Sequence, residues 1–244
     1  KKLILHIGTE KTGTTSIQDF LSDNKDELVE QGVFIPKTPC GLSPNHRKLA
    51  TACLDGLHRD DSFKEFNIKD FSRWKENTLV EIRNELVSSN LKVHVLSSEH
   101  FSSRLVGVAS INRLYTFLKE IYSEIKVVIY FRRQDEYAVS LYSTYLKSGG
   151  DSKSILPKMP LYERFDYYNM CKKWERVFGI GSLEVRVFDR KILRGGNVIS
   201  DFCQIAGINE LYTKEVARET NPSLSPLAQE VLRTYNLLAN TKGE

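Results

Sequence analysis

The chain has 244 residues, 41% hydrophobic and 27% charged, enough to bury one sizeable α/β core and typical of an ordinary soluble globular protein. Its formal charge of +4 is small and dispersed, which argues against a nucleic-acid partner. No run approaches the ~20 apolar residues of a membrane span. The N-terminus lacks a signal-peptide pattern, so a cytoplasmic location is expected.

In chain order, Leu3 to Ile7 is an apolar run of the kind that forms a strand buried on both faces. It breaks at Gly8, passes a polar loop to Gly13, and resumes at Thr14 with Ile17, Phe20 and Leu21 at helical spacing. Asn24 with Glu27 three residues on predicts a capped helix closed by Gly32, and Val33 to Ile35 a short strand. Residues 36–70, rich in proline, glycine and mixed charge around a helical piece near 47–54, predict an insertion over the site. Trp74, Leu79, Ile82 and Leu86 mark a helix, followed by the strand 93–96 running into Ser97-Ser98-Glu99-His100. A helix with Ile111, Leu114, Leu118 and Tyr122 on one face precedes the β-branched strand 126–131, which ends in Arg132-Arg133-Gln134.

The next helix, from about Asp135 to Lys147, is expected to bury Ala138, Leu141, Tyr142 and Tyr145. That places Ser140, Ser143, Thr144 and Lys147 on the opposite face, free to meet a ligand. A longer helix carries Tyr167, Met170, Cys171, Trp174, Val177 and Phe178, and Leu183, Val185 and Val187 alternate in a half-exposed strand. A short helix near 198–205 ends at Gly207. Ser225-Pro226 opens a last helix with Leu224, Leu227, Val231 and Tyr235 in register.

Strands alternating with helices predict a single domain over 1–244. Its fold class is α/β, a P-loop-like three-layer fold with a central, mostly parallel sheet flanked by helices. Right-handed crossovers then bring the polar clusters Gly8–Thr15, Ser97–His100 and Arg132–Gln134 to the carboxyl edge, where such sheets bind ligands. Cys40, Cys53, Cys171 and Cys203 show no metal-ligand spacing and read as free thiols. The histidines form no H-x-x-x-H pair, and no metal is expected.

A strand, a glycine-bounded loop and a helix start make an anion site, because backbone N–H groups converge there under a partial positive charge. Gly8 and Gly13 have P-loop spacing, but Thr14 and Thr15 follow Gly13 where a nucleotide triphosphatase has Lys-Ser/Thr, and Lys11 stands inside the loop. Arg132, leaving a buried strand, and Ser140, eight residues on, are suitable donors for a second phosphate.

The Lys11-x-Gly-Thr-Thr15 pattern resembles the 5′-phosphosulfate loop of sulfotransferases, and Arg132 followed by Ser140 resembles their 3′-phosphate motif. Over residues 3–21 and 126–147, and more loosely over 161–208, the chain is similar to the superfamily dependent on 3′-phosphoadenosine 5′-phosphosulfate (PAPS), especially its bacterial and carbohydrate branches. That resemblance implies sulfuryl transfer from PAPS to an acceptor hydroxyl or amine with no metal required, since the lysine and the loop amides supply the positive field. Lys11 would bind the 5′-phosphate and bridging oxygen, with Thr12, Gly13, Thr14, Thr15 and Ser16 donating backbone and hydroxyl hydrogen bonds. Arg132 and Ser140 would hold the 3′-phosphate.

For the base, Glu99 is the first candidate, His100 the second and His46 the third, while His6 and His94 read as core or edge residues and Glu10 is unassigned. The R-K-G-x-x-G-D-W-K segment of small-molecule members is absent; Lys214, Arg218 and residues 219–226 stand in about its place. The insertion and the aromatic segment 162–168 suit a sugar or glycoconjugate acceptor. Two other functions fit the loop: a P-loop kinase or other nucleotide triphosphatase, and a PAPS- or nucleotide-binding protein without turnover.

Overall fold

In the computed structural model, which describes residues 1–41, 43–57, 60–155, 162–213 and 224–241, the first apolar run is the central strand, β1 (Lys2–His6). It leads to α1 (Thr14–Asp23), α2 (Lys25–Glu30) and the two-residue strand β2 (Val33–Phe34). Helices α3 (Arg47–Ala52), α4 (Asp61–Glu65) and α5 (Phe71–Ser88) precede β3 (Val93–Ser97). Next come α6 (His100–Arg104), α7 (Val108–Lys119), β4 (Glu124–Phe131) and α8 (Gln134–Lys147). The chain continues through α9 (Tyr162–Phe165), α10 (Tyr167–Phe178), β5 (Leu183–Val187), α11 (Val198–Ala206) and α12 (Pro226–Thr241).

The five strands lie in the order β2-β3-β1-β4-β5, and every pairing is parallel. Alternation along β1 sends Leu3 and Leu5 into one core layer with Leu96, Ile129, Leu114 and Trp174. Ile4 goes into the other, with Val95, Val128, Ile17 and Phe202. Both faces are therefore buried, as a continuous apolar strand requires. From β1 the chain runs to one side of the sheet, then returns to place β4 on the other. The strand order thus reverses at β1, and sheets of this kind bind ligands at the carboxyl end of such a switch point.

Four expectations are revised. The 36–70 segment does not merely overlie the site, because Leu49, Ala50, Cys53, Leu54 and Phe63 are buried within the main core. In α8 the buried set is Tyr137, Ala138, Ser140, Tyr142, Ser143 and Leu146, whereas Tyr145 is exposed. The reason is α12, whose approach covers the face expected to be open: Leu224 N–H donates to Ser143 Oγ at 2.9 Å.

In α12 itself Leu227, Val231 and Tyr235 point to solvent, and Gln229, Arg233 and Asn236 are buried. Asn236 Nδ2 donates to Leu146 O at 2.8 Å and Gly150 O at 2.7 Å, tying α12 to the last turn of α8 and the residues after it. Finally, β5 is half exposed as expected, but its valines are the exposed side. Arg186 turns inward instead, to fully buried Asp201, with Nε–Oδ2 at 3.0 Å. Tyr130 Oη also donates to that carboxylate, at 2.9 Å. Lys214, Arg218 and residues 219–223 of the expected clamp lie outside the described residues.

Candidate active site

The loop after β1 is pinned to β4. Tyr130 N–H donates to Gly8 O at 2.7 Å, and both the N–H and the hydroxyl of Thr9 donate to Tyr130 O at 3.0 Å. Gly8 and Gly13 have φ of 98° and 77°, a region that favours glycine, and neither has room for a side chain. A Cβ at Gly8 would lie 3.0 Å from Glu99 Cα, and one at Gly13 2.8 Å from Val198 Cγ1. Lys11 adopts φ 63° without being glycine, a strained backbone of the kind found at functional sites.

Gly13 brings no capping side chain to α1. The first-turn amides of Thr14, Thr15 and Ser16 therefore have no intrahelical acceptor, at the positive end of the helix dipole. The hydroxyls are less uniform than expected. Thr12 is fully buried and its Oγ1 donates to Thr9 O at 2.6 Å, so it braces the loop, and only its backbone N–H remains for a ligand. Thr14 is buried, while Thr15 is exposed and Ser16 half-buried.

Lys11 is perturbed by its surroundings. Partial burial pushes the Lys11 ammonium pKa below its ordinary value. Lys147 and Arg132 push it the same way, while Glu10 and Glu99 oppose them. Lys147 at the end of α8 thus acts on Lys11 through its charge; the sequence put it on the Ser140 face but gave it no role. Arg132 Nε contacts Glu136 Oε2 at 3.1 Å, a partner exposed enough for a phosphate to compete with. Ser140 is only 4% exposed, so it does not stand on the open face first expected.

Glu10, unassigned from sequence, accepts from Arg164 Nη1 at 2.7 Å and ties α9 to the loop. Tyr167 Oη donates to Arg132 O at 2.7 Å, and Gln134 Nε2 to Phe165 O at 3.1 Å. The aromatic segment is thereby drawn against the carboxyl edge.

The three candidate bases occupy different environments. Glu99 is at the N-cap position of α6, but its side chain makes no capping bond. Instead Oε2 accepts from Gln18 Nε2 and from Asn45 Nδ2, each at 2.9 Å. His100 is half-buried beside Arg47 and Arg104, and burial followed by these charges lowers its pKa to about 4. His46 is fully buried and structural: Nδ1 accepts from Ser97 N–H at 2.8 Å, and Nε2 lies 3.0 Å from Pro36 O. It fastens the 36–70 segment to the end of β3. Sequence reasoning missed Gln18 and Asn45. Gln18 follows Thr14 by one turn inside an apolar stripe, a faint signal; Asn45 had none.

Desolvation also lowers the pKa of His6 to about 3, of His94 to about 4, and of His46 in direction. Each is neutral in the fold, yet in the unfolded chain takes up a proton near pH 6.5. Stability is therefore fully present above about pH 6.5 and lost as pH falls toward 4. Thermal unfolding followed by circular dichroism should show the midpoint falling by roughly 5 °C or more between pH 7 and 5. A flat profile would contradict these assignments.

The parallel sheet flanked by helices, with a glycine-bounded loop closing its central strand, matches a sulfotransferase-like α/β fold. The likeness is to the crystal structure of a sulfotransferase from Alicyclobacillus acidocaldarius, at a TM-score of 0.53 and 18% identity over 98% of this chain and 95% of that one. An uncharacterised protein of Archaeoglobus fulgidus is 36% identical over 143 residues, 58% of this chain. That match spans 38% of the relative's length. No family model matches the chain. Among the described residues, no helix is long and apolar enough to cross a membrane.

Proposed function

We propose that the protein transfers a sulfuryl group from PAPS to an acceptor hydroxyl or amine on a carbohydrate or glycoconjugate. The observation that carries this is Lys11, in a strained glycine-bounded loop at the end of the central strand, with Glu99 packed against Gly8 of that loop. The phosphosulfate would lie against Lys11 and the amides of Thr12, Gly13, Thr14, Thr15 and Ser16, with the 3′-phosphate near Arg132 and Ser140.

In the transfer, the bond from sulfur to the phosphate oxygen breaks as the bond to the acceptor oxygen forms. Glu99 takes the acceptor proton, and Lys11 offsets the charge left on the bridging oxygen. In-line placement and charge neutralisation dominate such a step, as in phosphoryl transfer. His100, already neutral at pH 7 and held below its ordinary range, is the weaker candidate for the base.

Isothermal calorimetry with adenosine 3′,5′-bisphosphate, ADP and ATP tests the donor site. Tight binding of the bisphosphate alone supports the proposal, whereas preference for ATP supports a kinase or triphosphatase. Transfer of ³⁵S from labelled PAPS into a panel of sugars and glycoconjugates, undiminished by chelator, then separates an enzyme from a binding protein.

A further inference from the structure

Taking Glu99 as the base, as proposed above, we infer that Asn45 and Gln18 are its positioning residues, a clamp of two neutral amides that fixes which carboxylate oxygen meets the acceptor. Both amides donate to the same oxygen, Oε2, at 2.9 Å. No hydrogen bond from the described residues reaches Oε1, so that oxygen is left to take the substrate proton. Gln18 and Asn45 are only 5% and 6% exposed, which locks their rotamers by packing. An amide donor aligns a carboxylate without setting a full positive charge against it, as an arginine or lysine would.

Two details set this arrangement apart from ordinary structural bonding. Asn45 spends its side chain on Glu99 alone, and among the described residues its buried Oδ1 has no partner. A buried unpartnered carbonyl costs stability, so an apolar residue would serve packing better. The donors also come from separate segments: Gln18 from the helix that begins at the anion loop, Asn45 from the 36–70 segment. The carboxylate is thus held by two segments that pack in different core layers.

The test is a double-mutant cycle using water as acceptor, read as ³⁵S-sulfate released from labelled PAPS, so no acceptor need be known. Asn45→Leu and Gln18→Leu should each lower kcat by roughly 10- to 100-fold, the scale of a small misplacement in a reacting group. Affinity for adenosine 3′,5′-bisphosphate should stay within about two-fold, because the donor contacts are untouched. In a Glu99→Gln background the same substitutions should change kcat little, since a positioning residue acts only through the group it positions.

If the losses instead multiply with that of Glu99→Gln, or kcat stays at the wild-type value, the clamp is refuted while the donor site stands. If folded wild-type protein binds no bisphosphate, or binds it but releases no ³⁵S-sulfate from labelled PAPS, the transferase reading fails first and takes the clamp with it. Should a leucine variant lose its thermal transition, Asn45→Ser and Gln18→Ser, whose hydroxyls are too short to reach Oε2, complete the same cycle.

Discussion

Lys11→Ala is expected to lower sulfuryl transfer by about 10³-fold or more, since losing even one oxyanion donor typically costs 10²- to 10³-fold and this one carries a full charge. The ammonium is partly buried and feels the positive charges of Lys147 and Arg132, and solvent screens a developing negative charge poorly there. Bisphosphate affinity should fall as well, because the same group meets the 5′-phosphate. The fold should survive with a thermal midpoint close to wild type, because the substitution relieves a cluster of like charges. Lys11→Arg should not restore the rate, since a planar fork cannot occupy the place of a compact ammonium. Wild-type kcat in Lys11→Ala would remove the basis for the proposed function.

Glu99→Gln should cost 10²- to 10⁴-fold in kcat, the usual range for general-base catalysis, with bisphosphate affinity little changed. Glutamine keeps the shape, and its carbonyl can still accept from Gln18 and Asn45, so the loss would report proton transfer and not collapse of the site. His100→Asn serves as the control and should retain most activity. The reverse outcome, with His100→Asn inactive and Glu99→Gln active, would move the base to the imidazole.

Much of this site was legible because chain-local signals happened to suffice. The apolar run before Gly8, the two glycines at P-loop spacing and the polar residues ending β3 and β4 each declare themselves locally, and parallel topology brings them together. What stayed hidden depends on contacts distant in sequence. Asn45 reaches Glu99 across 54 positions and Arg164 reaches Glu10 across 154, and neither side chain differs locally from a solvated one. The faces of α8 and α12 were misjudged for a related reason. Apolar periodicity assumes that the hydrophobic stripe is buried, whereas α12 docks through Asn236 onto carbonyls at the end of α8. His46 looked like chemistry in a polar segment, but its ring is spent on backbone atoms of two distant residues.

The close approach of Gly8 to Glu99 has a simple geometric consequence. β1 and β3 are hydrogen-bonded neighbours with His6 opposite Ser97, so the Gly8 loop and Glu99 leave the sheet from strands at the ordinary interstrand spacing of about 4.8 Å. No hinge has to close to set it. In the proposed reaction the sheet is thus the ruler for the chemical step, while Asn45 from 36–70 and Arg164 from α9 steady the groups that it spaces.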